Sequence, residues 1–478
     1  MSQDRFIKLI NEEVDVLTSP ITHTMARQVF EVSSRSGLAF TVPYFYSGMV
    51  FGGVPNYTAC AENLDSFTGM CRLMKVCVIG DTTHEALLQQ WFPGGFVVPV
   101  ASMEEMILNF ANGTCTVIAT DFTHISLREM KEAGYDGPYY KGEKMFSREP
   151  LSLCTRPNDS EWTNMVDLVV NVFFWAEAHN ISKENAKDIS SLVDPDSAGD
   201  VLPMMQAVVS KLGNYDDLYQ AHLEQFVPRR GMNLLFSNHG VTASEGLMYS
   251  YPLGLTETRG IGPIKGQTMD RILTRGYLLC GIATVDYDGY PGYPQMVSGD
   301  WFGLDVTFCR ALAAALFTGD VAAVEFVEIN HDEVLGAQSL VDGNVDVVAG
   351  APLSLRADYR GYSFSPPYYY HNVNNTNMVK AVAMMTLDKD TQWSNFVFWT
   401  VMALVYAEEK GIGPESIAEM PIINLFGEGQ KQMLRDCVFA FGTYADIYNQ
   451  TLPAVPISGA NLLNKGPIHG PQHFAVPL

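Results

Sequence analysis

The chain has 478 residues, 47% of them hydrophobic, so it can bury more than one core. Its formal net charge is −23 at pH 7, which argues against a general nucleic-acid or anionic-membrane binder because such a surface repels phosphates. No apolar run reaches the roughly 18 residues that a membrane-spanning helix needs.

The N-terminal residues 1–17 are predicted to form the end of a helix that leads into a strand. Residues 1–17 carry early charges and no apolar central region, so they are not a signal peptide and instead resemble the interior of a domain. Next, apolar runs rich in β-branched residues alternate with helical patterns; the runs are residues 76–80, 96–100 and 116–121. This alternation predicts an α/β sheet with parallel strands.

The second half continues the same alternation. It predicts strands at residues 276–282, 324–329 and 345–350, with helices at 305–317 and 332–343. Glycine and proline at residues 259–267 indicate a linker, and residues 287–300 have the composition of a loop.

Several segments occur twice. Residues 159–182 return at 390–413 with their Asp, Trp, Asn and Ala-Glu positions aligned without a gap. The shorter pairs are 213–220 with 442–449, 231–235 with 459–463, 12–17 with 343–348, and 40–46 with 364–370. The repeating unit is far longer than a solenoid repeat and therefore predicts a duplicated domain.

Each copy lacks a block that the other has. In copy 1, residues 1–267, about a hundred residues (roughly 47–150) separate the aromatic motif from the repeated helix. In copy 2, residues 268–478, that connection is short, but residues 268–343 precede the motif VDV, which stands near the start of copy 1.

In this order, the segments resemble the extracytoplasmic solute-binding proteins of family 3, in particular the general L-amino-acid-binding subunits of ABC importers. Residues 268–282 are similar to the family's mature N-terminus and 299–320 to its first loop and helix. Copy 1 supplies segments similar to the second-lobe strand and turn, the Asp-bearing strand, the return across the hinge and the C-terminal segment; these are 76–92, 113–121, 147–153 and 230–252.

The resemblance implies an α/β fold of the periplasmic-binding-protein type II, in which two lobes joined by crossing strands close on a ligand. Copy 1 would keep lobe 2, at about 47–150, but lack the start of lobe 1; copy 2 would keep lobe 1 only. A sheet without its central strand exposes edges. We therefore expect the natural chain to extend upstream of Met1. The alternative is that residues 276–330, of this or a neighbouring molecule, complete the sheet.

The family's amino-acid clamp needs a guanidinium for the ligand's carboxylate and an aspartate for its ammonium, because both charges lose water on closure. Carried onto copy 1, the arginine is Arg27, twelve residues beyond Asp15, with Thr22 as a second donor. Without the resemblance, Arg27 would be interpreted as a surface arginine. In copy 2 the spacing differs by two residues, and we choose Arg356.

In lobe 2, the resemblance implies that Thr82 and Thr83 bind an anion at a helix N-terminus and that Asp121 binds the ammonium. The alternatives are an ordinary N-cap for the threonines and a helix cap for the aspartate. Asp81 replaces the family's glycine, and its charge would oppose a carboxylate. Tyr44, in the aromatic motif, either lines the ligand pocket or packs in the hinge.

The resemblance also implies disulfides Cys77–Cys115 and Cys280–Cys309; Cys60 and Cys71 are close enough in sequence for a third. Six N-glycosylation sequons and an even cysteine count favour an extracytoplasmic or secreted protein, whereas the absent signal peptide does not. Buried free thiols remain the alternative.

Binding of a small amino-acid-like solute, without catalysis, cofactor or metal, is the function this pattern favours. The alternative is a degenerate solute-binding fold that serves as a structural or assembly protein. An enzyme on the same fold, such as a dehydratase or lytic transglycosylase, has little support, because no HExxH, CxxC, Walker A or GxSxG motif is present. Self-association is a further expectation, and neither a nucleic-acid partner nor a membrane span is expected.

Overall fold

The computed structural model describes residues 4–30, 36–124, 127–193, 201–236, 246–253, 267–284, 289–330, 338–354, 361–372 and 379–464. The α-helices in these ranges are α1 (Asp4–Ile10), α2 (Met25–Phe30), α3 (Pro55–Glu62), α4 (Thr83–Trp91), α5 (Met103–Ala111), α6 (Leu127–Glu132), α7 (Ser160–Ala178), α8 (Ile189–Leu192), α9 (Val201–Leu212), α10 (Tyr215–His222), α11 (Gln267–Arg275), α12 (Leu304–Leu316), α13 (Gln338–Val341), α14 (Thr391–Lys410), α15 (Met433–Phe441) and α16 (Tyr444–Thr451). Short 3-10 helices cover Gly69–Leu73, Ala186–Asp188, Gly231–Asn233, Pro414–Glu419, Glu428–Gln430 and Gly459–Asn461.

The strands are β1 (Ala39–Phe40), β2 (Phe45–Ser47), β3 (Met49–Gly53), β4 (Val76–Ile79), β5 (Val97–Val100), β6 (Val117–Asp121), β7 (Tyr140–Lys141), β8 (Glu149–Leu151), β9 (Cys154–Thr155), β10 (Leu278–Ala283), β11 (Gln295–Val297), β12 (Asp300–Phe302), β13 (Val324–Ile329), β14 (Val347–Pro352), β15 (Tyr362–Phe364), β16 (Tyr369–Asn372) and β17 (Val379–Leu387). No described helix is long and apolar enough to cross a membrane.

A five-stranded sheet forms lobe 2 of copy 1, in the order β5-β4-β6-β3-β7. The three predicted apolar runs are its parallel strands β4, β5 and β6, whereas β3 lies antiparallel to β6. The three predicted strands are thus parallel as expected, and the sheet is mixed because β3, which enters directly from crossing strand β2, is antiparallel. The expected disulfides Cys77–Cys115 and Cys60–Cys71 are both present in this lobe.

The second large sheet belongs to copy 2 and has the order β13-β10-β14-β17-β15, with β16 also paired to β17. It packs with α12 and α14 around the largest apolar core of the described chain. The expected disulfide Cys280–Cys309 joins β10 to α12. Strands β10 and β13 pair within this sheet, so among the described residues they complete copy 2 and not copy 1.

Two antiparallel crossing strands have the same register in both copies. In copy 1, Phe45 of β2 lies opposite Leu151 of β8; in copy 2, the equivalent Tyr369 of β16 lies opposite Val382 of β17. Residues 48–148, which include lobe 2, separate the strands in copy 1, whereas only residues 373–378 separate them in copy 2. The protein thus has the duplicated type II fold, with lobe 2 missing from copy 2.

The repeated sequence positions make repeated contacts. Asp159 caps α7 and Asp390 caps α14, each accepting a hydrogen bond from the backbone N–H of the tryptophan three residues on, at 3.1 Å. The indole N–H groups of these tryptophans donate to the carbonyls of Asp15 and Asp346, at 3.0 and 2.8 Å. The aligned Asp and Trp positions therefore fasten the same helix to the same segment in each copy.

A repeated asparagine holds each crossing strand. The side chain of Asn233 bonds to both the backbone N–H and the carbonyl of Tyr46, at 2.8 and 2.9 Å. Asn461 does the same to Tyr370, at 2.8 and 2.7 Å. This pair of contacts explains why the asparagine recurs in the segments 231–235 and 459–463.

Side chains of the two copies also bond to each other. The Trp399 indole donates to Gln28 Oε1 at 2.9 Å, and Arg148 pairs with Glu409 at 2.7 Å. Met25, Val29 and neighbouring apolar residues of copy 1 join the large core of copy 2. The two copies therefore share one continuous apolar core.

Two of the expected local features differ from the structure, and a third lies almost wholly outside the described residues. The loop predicted at residues 287–300 is wrong in part, because β11 and β12 pair across a two-residue turn in which Ser298 and Gly299 have φ of 53° and 89°, as a type I′ hairpin requires. The strand expected near residue 17 is only an isolated bridge from Leu17 to Cys154. Nearly all of the expected linker, residues 259–266, lies outside the described residues.

The buried carboxyl of Asp305 makes stability depend on pH. Burial raises its pKa from 3.8 to about 7, even though the hydroxyls of Tyr290 and Tyr368 donate to Oδ1. Because the folded pKa lies above the unfolded one, the carboxyl favours the folded state at low pH, and this contribution is lost as pH rises from about 4 to 7. Each pKa unit corresponds to about 1.4 kcal/mol.

We therefore expect the free energy of unfolding of the wild type, relative to Asp305→Asn, to fall between about pH 4 and 7. Urea denaturation at several pH values measures this difference, and Asp270→Asn, at an exposed aspartate, is the control. A difference independent of pH would show that Asp305 titrates alike in the folded and unfolded states.

Candidate functional site

A cavity of about 80 Å³ lies between the two lobes of copy 1. Five side chains predicted to bind a ligand line it: Thr22 and Arg27 from lobe 1, and Thr82, Thr83 and Asp121 from lobe 2. The fold thus brings together residues that are far apart in sequence. Their role in binding stays a prediction.

Arg27 forms part of the lobe 1 wall and is only 9% exposed, so it is not the surface arginine of the alternative interpretation. It lies on α2, and its Nη1 donates to the carbonyl of Thr22 at 3.0 Å. The guanidinium also stacks over the Phe6 ring, 5.6 Å from the centroid. A second guanidinium, that of Arg5, lines the same cavity. This wall is therefore cationic.

The two threonines of lobe 2 have different roles. Thr82 is the N-cap of α4: its hydroxyl donates to the carbonyl of Ile79 at 2.7 Å and accepts from the N–H of Glu85 at 3.3 Å. Its proton is therefore used within the cap, whereas the Thr83 hydroxyl donates to Glu149 Oε2 at 2.9 Å. Asp81 is exposed and does not line the cavity; its φ of 59° explains why the family has glycine there.

Asp121 ends β6 and is not the cap of a helix, because α6 begins only at Leu127. Its Oδ1 accepts a hydrogen bond from the Ser47 hydroxyl at 2.5 Å. The carboxylate is partly exposed and lines the cavity. It therefore places a negative charge opposite the cationic wall.

Glu149 is the polar residue of this site that the sequence analysis missed. It is 1% exposed, and its Oε2 accepts from the hydroxyls of Thr22, at 2.6 Å, and Thr83, at 2.9 Å. His84 lies beside it, with Nε2 at 3.7 Å from Oε1. One buried carboxylate thus bonds to both lobes. The sequence did offer one indication of Glu149: it is an acidic residue within the segment 147–153, which was expected to return across the hinge.

The hydrogen bonds to Glu149 decide what the two threonines offer to a ligand. A hydroxyl carries one proton and two lone pairs. Since Thr22 and Thr83 each donate that proton to Glu149, their oxygens are left as acceptors. In this state they suit an ammonium rather than a carboxylate.

Of the two other predicted ligand-binding residues, the structure describes only Tyr44, which does not line this cavity. Tyr44 lies in the hinge, where its carbonyl accepts from the Tyr215 hydroxyl at 2.6 Å and burial raises the pKa of its phenol. Its side chain packs against the core cluster of the hinge, and its part in binding stays a prediction. Arg356 lies outside the described residues. Tyr46 and Tyr370 line a different and larger cavity, between the two copies.

Comparison with known proteins gives partial matches. No family model matches the chain. The chain is 24% identical over 266 residues to YhdW of Escherichia coli K12, named as an amino-acid ABC transporter-binding protein, across 50% of this chain and 73% of YhdW. It is 32% identical over 114 residues to the general L-amino acid-binding periplasmic protein AapJ of Rhizobium johnstonii, across 23% and 31% of the two chains.

One solved structure similar to this chain is an ABC transporter periplasmic binding protein from Brucella ovis with glutathione bound. It is 23% identical, with a TM-score of 0.40, and the match covers 50% of this chain and 79% of that one. The sequence relatives confirm the resemblance inferred from the motifs, and the partial coverage agrees with incomplete copies.

Loss of the Glu149 carboxylate should weaken the contact between the lobes. Hydrogen bonds to a charged group contribute about 1.5–3 kcal/mol each. We expect Glu149→Ala to lower the free energy of unfolding by about 3 kcal/mol, and Glu149→Gln by less, because its amide oxygen still accepts. Urea denaturation measures both.

The matched control is Glu143→Ala, at an exposed glutamate of the same lobe, which should change stability by less than about 0.5 kcal/mol. Equal effects of Glu149→Ala and Glu143→Ala would show that Glu149 does not link the lobes.

Proposed function

We propose that this relative of the family 3 extracytoplasmic solute-binding proteins binds a small amino-acid-like solute in the cleft of copy 1 and performs no chemistry on it. The main support is that Arg27 and Asp121, of opposite charge and from different lobes, line one cavity. Both ligand charges are desolvated when such a cleft closes, so each needs a charged partner.

Within this proposal, the two halves of the solute are recognised separately. Asp121 and the acceptor oxygens of Thr22 and Thr83 hold the ammonium, while the guanidinium of Arg27 holds the carboxylate. This assignment differs from the one that the resemblance implies, in which the threonines serve the carboxylate. The difference follows from Glu149, which takes both hydroxyl protons.

The size of the cavity restricts the solute. About 80 Å³ is well below the roughly 300 Å³ at which pockets for larger ligands begin. We therefore expect the smallest amino acids to fit the cavity as it stands, and larger ones to hold the lobes further apart by bending at the crossing strands.

Copy 2 is not expected to bind such a solute. It has no lobe 2, and in the register of the crossing strands Pro352 and Lys380 stand at the positions of Thr22 and Glu149. This loss favours the second candidate function, a structural or assembly role for the fold. Three disulfides and the relatives' names support a location outside the cytoplasm.

A thermal-shift screen with the twenty amino acids, followed by calorimetry on those that raise the melting temperature, tests the proposal. We expect at least one to bind, and Arg27→Ala and Asp121→Ala each to weaken it by about tenfold or more, because each leaves one ligand charge without a partner.

Arg128→Ala and Asp136→Ala are the matched controls, since both residues are exposed in lobe 2 and outside the cavity. No response to any amino acid would favour the structural role. A response that survives both site substitutions would place the ligand elsewhere.

A further inference from the structure

A second cavity, of about 310 Å³, lies between the two copies. Equivalent residues of the repeat face it from both sides: Tyr46 and Tyr370, Thr163 and Ser394, Asn164 and Asn395. The two asparagines each donate to the other copy, Asn164 to Asp388 Oδ2 at 3.0 Å and Asn395 to the carbonyl of Gln28 at 3.4 Å. Equivalent residues of the two copies therefore line one cavity from opposite sides.

The charges around this cavity are of one sign. Two carboxylates, Asp167 and Asp388, line it, and no lysine or arginine among the described residues does. His23 is also in the wall, but burial lowers its pKa to about 4, so the imidazole is neutral at pH 7. The wall therefore carries negative charge without a cation to balance it.

The two carboxylates differ in how well they are satisfied. Asp167 accepts from the N–H of Val42 at 2.6 Å and from the Asn171 amide at 2.8 Å. Asp388 is 8% exposed, and its Oδ1 is buried with no hydrogen-bond partner in the described chain. Burying a carboxylate oxygen without a hydrogen-bond partner costs free energy, so Asp388 Oδ1 is an acceptor that a ligand donor can satisfy.

Several aromatic rings form another part of the wall. The rings of Phe40, Phe398, Tyr249 and Tyr251 line the cavity together with that of Tyr46. Burial raises the pKa of the Tyr251 phenol well above its usual value, so this ring stays neutral. Aromatic faces attract cations and also bury apolar groups.

We propose that this cavity is a second ligand site, distinct from the cleft of copy 1, and that it takes a small organic cation with an apolar body, of the arylalkylamine class. Asp388 receives the ammonium, and the rings receive the apolar body. The inference does not depend on amino-acid binding in copy 1.

Isothermal calorimetry with 2-phenylethylamine tests the proposal, with phenylacetate as a probe of similar shape and opposite charge. We expect saturable binding of the amine and none of the acid. Asp388→Asn keeps the acceptor for Asn164 but removes the charge, and should weaken the amine about tenfold or more. Ala39→Phe, on strand β1 in the cavity wall, should abolish binding by filling the space.

Asp436→Asn is the matched control, because Asp436 also has a buried oxygen without a partner in the described chain but does not line this cavity. Equal affinity for amine and acid, or no binding of the amine to the wild type, would overturn the proposal even if a variant fails to fold. So would amine binding that is lost in Asp121→Asn and kept in Asp388→Asn.

Discussion

The antiparallel pair of crossing strands fixes the geometry of both cavities. Its register places Ser47 opposite Glu149, at the point where the chain passes from lobe 1 to lobe 2. Since side chains alternate along a strand, the neighbouring Tyr46 lies on the other side and lines the space between the copies. One strand pair therefore supplies the side chains that hydrogen-bond to Thr22, Thr83 and Asp121 of the cleft, and an aromatic wall of the second cavity. Asn233 holds its backbone in place.

Buried carboxylates in this chain are often satisfied by hydroxyl groups. Glu149 accepts from two threonines, and Asp305 accepts from two tyrosines. Such neutral donors offset the cost of desolvation without cancelling the charge. Asp388, with one oxygen unpaired among the described residues, is the case in which this compensation is incomplete.

The sequence predicted the framework better than the site. The apolar runs at 76–80 and 324–329 became strands because strand and helix periodicities are local, and the gapless repeat at 159–182 predicted the shared helix. Glu149 was missed because its partners, Thr22 and Thr83, lie 127 and 66 residues away, and no local pattern records such a contact. The cavity between the copies was missed for the same reason, since the packing of two domains depends on side-chain shape at their contact.

The shared register of the two crossing pairs has an evolutionary consequence. In each copy the strand that leaves lobe 1 ends beside the strand that returns to it, whether residues 48–148 or only residues 373–378 intervene. A whole lobe can therefore be gained or deleted at this joint by one genetic event, without disturbing the pairing on which the remaining domain rests. The crossing strands are thus a site where a lobe can be inserted. Replacing residues 373–378 of copy 2 with residues 48–148 of copy 1 is a route to a chimaera in which both copies have two lobes.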